Sequence, residues 1–170
     1  MRVPLETLVA LDDDGLFESL IWIDWRSFES DVVDAFSQEL PDSDAITCVD
    51  DEDPREIVHR GTTYPIPLTL SGKDRYVMIC SIIELLKDRY TVFVDRESYR
   101  GADTHGFLLL TNEEATTAAR QHGDWLNRTF ERVQPGVDGF SGKTVPYLGH
   151  ALPDVATTGS AGRKPFWKFW

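Results

Sequence analysis

The chain has 170 residues, room for one domain, with 41% hydrophobic residues for a core and enough aromatic residues (nine Phe, five Trp, five Tyr) to exclude disorder throughout. Twenty-nine Asp and Glu against seventeen Lys and Arg give a formal charge of −12, which argues against binding a nucleic-acid backbone or an anionic lipid surface. The excess is lopsided: residues 1–60 hold seventeen acidic and four basic side chains, and residues 61–170 hold twelve and thirteen.

Residues 5–11 read as a strand that ends at a turn over Asp12–Gly15. Residues 16–25 read as its aromatic partner, because Asp-Gly between two apolar runs is a hairpin signal. Val32, Val33, Phe36 and Leu40 fall at helical spacing, so a helix is expected over 28–40, stopped by Pro41. Residues 45–49 form a short strand candidate, followed by an acidic turn over 50–54. Residues 56–60 and 62–68 fit a hairpin around Gly61, whose second arm Pro65 and Pro67 confine to a sheet edge or to extended coil.

The segment 72–88 is the clearest helix, and Tyr90–Asp95, β-branched and aromatic, the clearest strand. A polar loop over 96–105 leads to an antiparallel neighbour at 106–111. Asn112 is expected to cap a helix of about ten residues, with Glu113 and Glu114 at its positive end. Gly123 should end that helix, and Asp124 should cap another running to Val133. Residues 136–164 contain six Gly, two Pro and five Ser or Thr, a composition for mostly irregular chain. The expected fold is α+β: one domain, a mainly antiparallel sheet and three to four helices. Residues 1–135 would form its body, and 136–170 a Gly-rich segment and tail packed on it.

No motif supplies a cofactor site. The run from Gly136 to Lys143 and Thr144 places five residues before Gly-Lys-Thr where a P-loop needs four, and Pro146 follows where its helix should begin. Asp12-Asp13-Asp14-Gly15 has Leu16 and Phe17 where a calcium loop needs a ligand and a glycine. His59, His105, His122 and His150 lack metal-ligand spacing. Cys48 and Cys80 lie in apolar segments and read as buried reduced thiols. Asp95 and Glu97 follow a strand, as nuclease carboxylates do, but Tyr99 stands where a lysine would strengthen that reading. The expectation is no metal and no cofactor.

The N-terminus lacks the apolar core of a signal peptide, and no stretch approaches the length of a membrane-spanning helix, so a soluble, cytoplasmic chain is expected. The basic aromatic end, from Arg163 through Lys164, Phe166, Trp167, Lys168 and Phe169 to Trp170, is expected to fold back towards the acidic face.

Over residues 74–119 the order is helix, Tyr-Thr-Val-Phe-Val-Asp-Arg-Glu-Ser, polar loop, Gly-Phe-Leu-Leu-Leu-Thr-Asn-Glu-Glu-Ala, and then a second helix. This order resembles the small acidic immunity proteins of bacterial polymorphic-toxin and contact-dependent growth inhibition systems. The resemblance covers about a quarter of the chain and carries no catalytic motif. It implies a protein that neutralises one cognate toxin domain by covering its active site or substrate groove. The charge pattern points the same way, since a basic nuclease groove attracts dense carboxylates. The expected partner-binding residues are Asp12, Asp13, Asp14, Asp50, Asp51, Glu52 and Asp53. Trp22, Trp25 and Phe28 lie in the same acidic segment and are candidate anchors, but aromatic residues in a strand more often belong to the core. The alternatives are a small enzyme assembled from Asp95, Glu97 and His105, and an acidic adaptor.

Overall fold

The computed structural model describes residues 3–24, 26–69, 74–101 and 104–135. The Gly-rich segment and the aromatic tail, 136–170, and also Trp25, lie outside the described residues. The fold is α+β. Among the described residues, seven α-helices and seven strands form two sheets, and every strand pairing is antiparallel.

The larger sheet joins β1 (Ile21–Ile23), β6 (His105–Thr111), β5 (Tyr90–Asp95) and β7 (Phe130–Arg132), in that spatial order. Its two central strands are buried along nearly their whole length. Strand alternation explains how both faces are apolar. Val92, Val94, Phe107 and Leu109 join one core, which includes Val32, Val33 and Phe36 of α3 (Glu29–Gln38) and the apolar body of α4 (Asp74–Leu86). Phe93, Leu108 and Leu110 join a second core. There they meet α1 (Leu5–Ala10), α2 (Asp13–Glu18), α6 (Asn112–Gln121) and α7 (Gly123–Thr129). A sheet covered on both sides needs continuous apolar strands, which is why β5 and β6 were conspicuous in the sequence. Helix α4 is buried on almost every side, with Val77 to Ile83 all below a tenth exposed, as its nearly continuous apolar composition requires.

The smaller sheet is β2 (Ile46–Cys48), β3 (Glu56–His59) and β4 (Thr62–Pro65), in chain order. Its hairpin turns at Arg60 and Gly61, with φ of 51° and 74°. Two consecutive positive φ values are what a tight hairpin of the correct twist demands. Pro65 ends β4, which lies at the sheet edge as expected.

The N-terminal hairpin expected over 5–25 does not form. Residues Leu5–Ala10 are a helix, burying Leu5 and Leu8 one turn apart. Residues Asp13–Glu18 are a second helix, and only Ile21–Ile23 is strand. Gly15 lacks the positive φ that an Asp-Gly hairpin turn requires. Asp12 instead caps α2, its Oδ1 accepting from the Gly15 N–H at 2.9 Å, with Asp13 and Asp14 in the first turn. The three aspartates thus complement the positive end of a short helix.

Other differences are smaller. The expected polar loop after β5 contains α5 (Arg96–Gly101), to whose Ser98 N–H Asp95 offers Oδ2 at 2.7 Å. Thr111, not Asn112, caps α6 in a reciprocal box with Glu114, while Asn112 bonds Thr91 and the Lys87 carbonyl. Gly123 opens α7 rather than ending α6, and the expected helix to Val133 stops at Thr129, where β7 begins. The count of three to four helices was low because α1, α2 and α5 each have six residues, too few to show a helical period.

Cys80 is buried and Cys48 half-buried, and neither is in a disulfide. Burial pushes the Cys48 thiol up to about 11, reinforced by Asp51 and Asp34. We expect alkylation of Cys48 by iodoacetamide at neutral pH to run on the order of a hundredfold slower than that of free cysteine, because the thiolate is the reactive form. Mass spectrometry of time-quenched samples measures this directly. No helix among the described residues is long and apolar enough to cross a membrane.

Candidate functional site: an acidic, aromatic cleft

Three chain segments meet on the face covered by α2. Strand β1 places Ile21 and Ile23 in the first core, so Trp22 points to the opposite side. There its ring lies 4.2 Å, centroid to centroid, from that of Phe17, and its Nε1 donates to the Phe17 carbonyl at 2.7 Å. Phe17 is 57% exposed. Gly106 is the β6 residue paired with Trp22, and a Cβ there would stand 2.8 Å from the indole. The glycine therefore leaves room for the indole to lie flat across the strand.

This aromatic pair borders a cleft of about 440 Å³. Asp13 and Asp14 contribute from α2, Asp95 and Glu97 from the end of β5 and the start of α5, and Arg128 from the end of α7. Four carboxylates thus face one guanidinium. Asp95 is partly occupied with the Ser98 N–H. Asp13, Asp14 and Glu97 make no hydrogen bond or ion pair among the described residues and are exposed. Unpaired carboxylates beside an exposed aromatic ring can take a Lys or Arg side chain twice over, by charge and by its contact with a ring face.

We expect Gly106→Ala to displace the Trp22 indole and to cost about 1–3 kcal/mol of stability through overpacking. Urea denaturation measures the loss, and a shifted indole N–H resonance for Trp22 reports the displacement.

The seven expected partner-binding residues are not one patch. Asp12 is a helix cap and does not line the cleft, whereas Asp13 and Asp14 do. Asp50 accepts from the Glu52 N–H at 2.9 Å, and Asp51 is exposed in the same turn. Glu52 and Asp53 border a different groove, with Glu29, Leu68 and Asp74, that shares no residue with the cleft. In that groove Asp53 pairs with Arg55 at 2.9 Å, and Asp74 accepts from Thr69. Its carboxylates are thus more fully engaged than those of the cleft. Phe28 is 72% exposed at the start of α3.

Of the alternative catalytic set, Asp95 and Glu97 share the cleft, but His105 does not line it. His105 is buried in β6, paired with Ile23 and close to the Tyr76 and Phe107 rings. Among the described residues no group of three or more His, Cys, Asp or Glu side chains is placed to hold a metal ion. The sequence reading missed Phe17, Arg128 and the meeting of Asp13 and Asp14 with Asp95 and Glu97. Asp13, Asp14 and Phe17 are about 80 to 115 positions from Asp95, Glu97 and Arg128, so only the tertiary fold brings the two groups together.

No family model matches the chain, and no curated protein or solved structure matches it either.

Proposed function

We propose that the chain is a stoichiometric protein inhibitor: an immunity protein that binds one cognate toxin domain in the cytoplasm. The toxin is a basic protein, such as a nuclease, and the inhibitor acts by covering its active site or substrate groove. The observation that carries this reading is the cleft itself, with unpaired Asp13, Asp14 and Glu97 beside the exposed ring of Phe17. A positive loop from the partner gains on-rate from the carboxylates and a desolvated anchor from the aromatic pair. The charge asymmetry of the chain adds a field that steers a basic partner towards the N-terminal third. The inhibitor itself contributes binding and no chemistry.

The test is to co-express the chain with the basic C-terminal domain of the toxin encoded beside it, and to titrate the purified domain's nuclease activity. A one-to-one complex and an end point at one equivalent are expected. The association rate should fall as salt is raised through the range where exposed charges are screened. No complex at micromolar concentration, or inhibition complete well below one equivalent, would sink the proposal.

A further inference from the structure

The cleft is not the only built feature. On the first-core side, two arginines from distant elements close on one buried carboxylate. Arg60, in the β3–β4 turn, reaches Asp44 Oδ1 with Nε at 2.9 Å and Nη2 at 2.5 Å. Arg89, just beyond α4, reaches the same oxygen with Nη1 at 2.8 Å. Each guanidinium carries five N–H groups, so among the described residues most of these donors remain unused. Arg60 holds its place at a positive φ, where an asparagine or glycine would sit more easily.

Beside this clamp is a cavity of about 140 Å³. Both arginines line it, with Tyr64, Leu85 and Asp88. His59 lines it as well, at 7% exposed, and its Nδ1 has no hydrogen-bond partner among the described residues. A buried polar atom left unpaired needs an explanation, because most such atoms in folded proteins are satisfied.

We propose that this cavity binds a small organic monocarboxylate. Asp44 takes up one of the two guanidinium charges and Asp88 offsets the other, so a ligand carboxylate is held by the N–H donors that Asp44 leaves unused rather than by a net positive charge. With no net positive charge left at the lining, a dianion is disfavoured more than a monoanion. The planar forks suit a carboxylate, which can accept two parallel N–H bonds. Leu85 and Tyr64 offer apolar contact to a short hydrocarbon body. A ligand oxygen in the cavity also gives the His59 ring a hydrogen-bond partner. The site is distinct from the cleft, with which it shares no lining residue, and it stands or falls independently of toxin inhibition.

The experiment is an NMR titration of the full chain with sodium butyrate at constant ionic strength. Butanol, butylammonium chloride and sodium phosphate serve as comparison probes. Saturable shifts are expected at the amides of Arg60 and Arg89 and at the ring nitrogens of His59, with a Kd on the order of 1–10 mM for so small a ligand. Arg89→Lys keeps a positive charge beside Asp44 but removes the fork, and should weaken butyrate at least fivefold. Shifts that do not saturate, or equal affinity in Arg89→Lys, would identify an adventitious ion only and overturn the proposal. Phosphate binding more tightly than butyrate would overturn the monocarboxylate assignment. The wild-type His59 ring signals decide the matter even if the variant unfolds, because a bound carboxylate must move them and an unbound one cannot.

Discussion

Asp44→Ala should cost the fold about 3 kcal/mol, one of the larger losses available from a single polar residue outside the apolar core. The carboxylate is fully buried and accepts from Arg60, from Arg89 and, through Oδ2 at 2.6 Å, from the Tyr90 hydroxyl. Removing it leaves a cavity and takes away the Asp44 acceptor of that hydroxyl. The two arginine side chains are 44% and 54% exposed, so they recover hydration and hold the loss to the low end of the range for broken buried pairs. For a domain of this size the melting temperature should fall by roughly 6–12 °C. Thermal unfolding followed by circular dichroism measures it, and a fall of less than about 2 °C would show that the cluster contributes little.

The same residue gives a pH signature. Burial pushes the Asp44 carboxyl up, but the Tyr90 and Arg60 hydrogen bonds and the charges of Arg60 and Arg89 outweigh it and hold the group below its ordinary value. A carboxyl depressed in the folded state contributes stability that is complete above its unfolded pKa and is lost as pH falls through the folded one. The stability gap between wild type and Asp44→Asn should therefore be constant near neutrality and close progressively below about pH 4. A gap that widens on acidification would contradict the assignment.

The second large effect concerns the proposed interface. Replacing Asp13, Asp14 and Glu97 together with Asn, Asn and Gln should slow association with the toxin domain by about tenfold at low salt, and less at high salt. Phe17→Ala should act differently. It removes an exposed anchor, so it should speed dissociation and weaken binding by roughly thirtyfold, the size of a 2 kcal/mol hot spot. Amide replacement of Asp50, Asp51, Glu52 and Asp53 serves as the comparison, since Glu52 and Asp53 border the other groove. Stopped-flow association and surface-based dissociation measurements separate the two rates. If the 50–53 variant loses more than the cleft variant, the interface lies on that groove and the cleft is not the binding site.

How much of this was readable in advance follows element length. Helix α4 and strands β5 and β6 were legible because their apolar residues run long enough to settle the element type. The turn at Gly61 was legible because a glycine between two apolar runs marks a hairpin. The N-terminal helices were not, since six residues give barely more than one turn and Leu5 and Leu8 fit either period. Asp14-Gly15 misled because the same dipeptide suits a hairpin turn and a helix start, and the backbone dihedral at Gly15, not its identity, decides between them. The Asp44 cluster and the cleft were beyond local reading altogether, as their members come from segments with no pattern in common.

By itself the sequence determined the α+β class, the central strands, the long buried helix and an acid-rich N-terminal third. Those properties follow from local propensity, hydrophobic period and composition, which each segment carries alone. Tertiary structure alone decided that Asp12 is a cap while Asp13 and Asp14 face a cleft. It also decided that Asp44 sits between two arginines, and that Glu52 and Asp53 belong to another groove. The physical reason is that a charged side chain's role depends on what it meets, and its partners arrive from wherever the two cores bring the chain together.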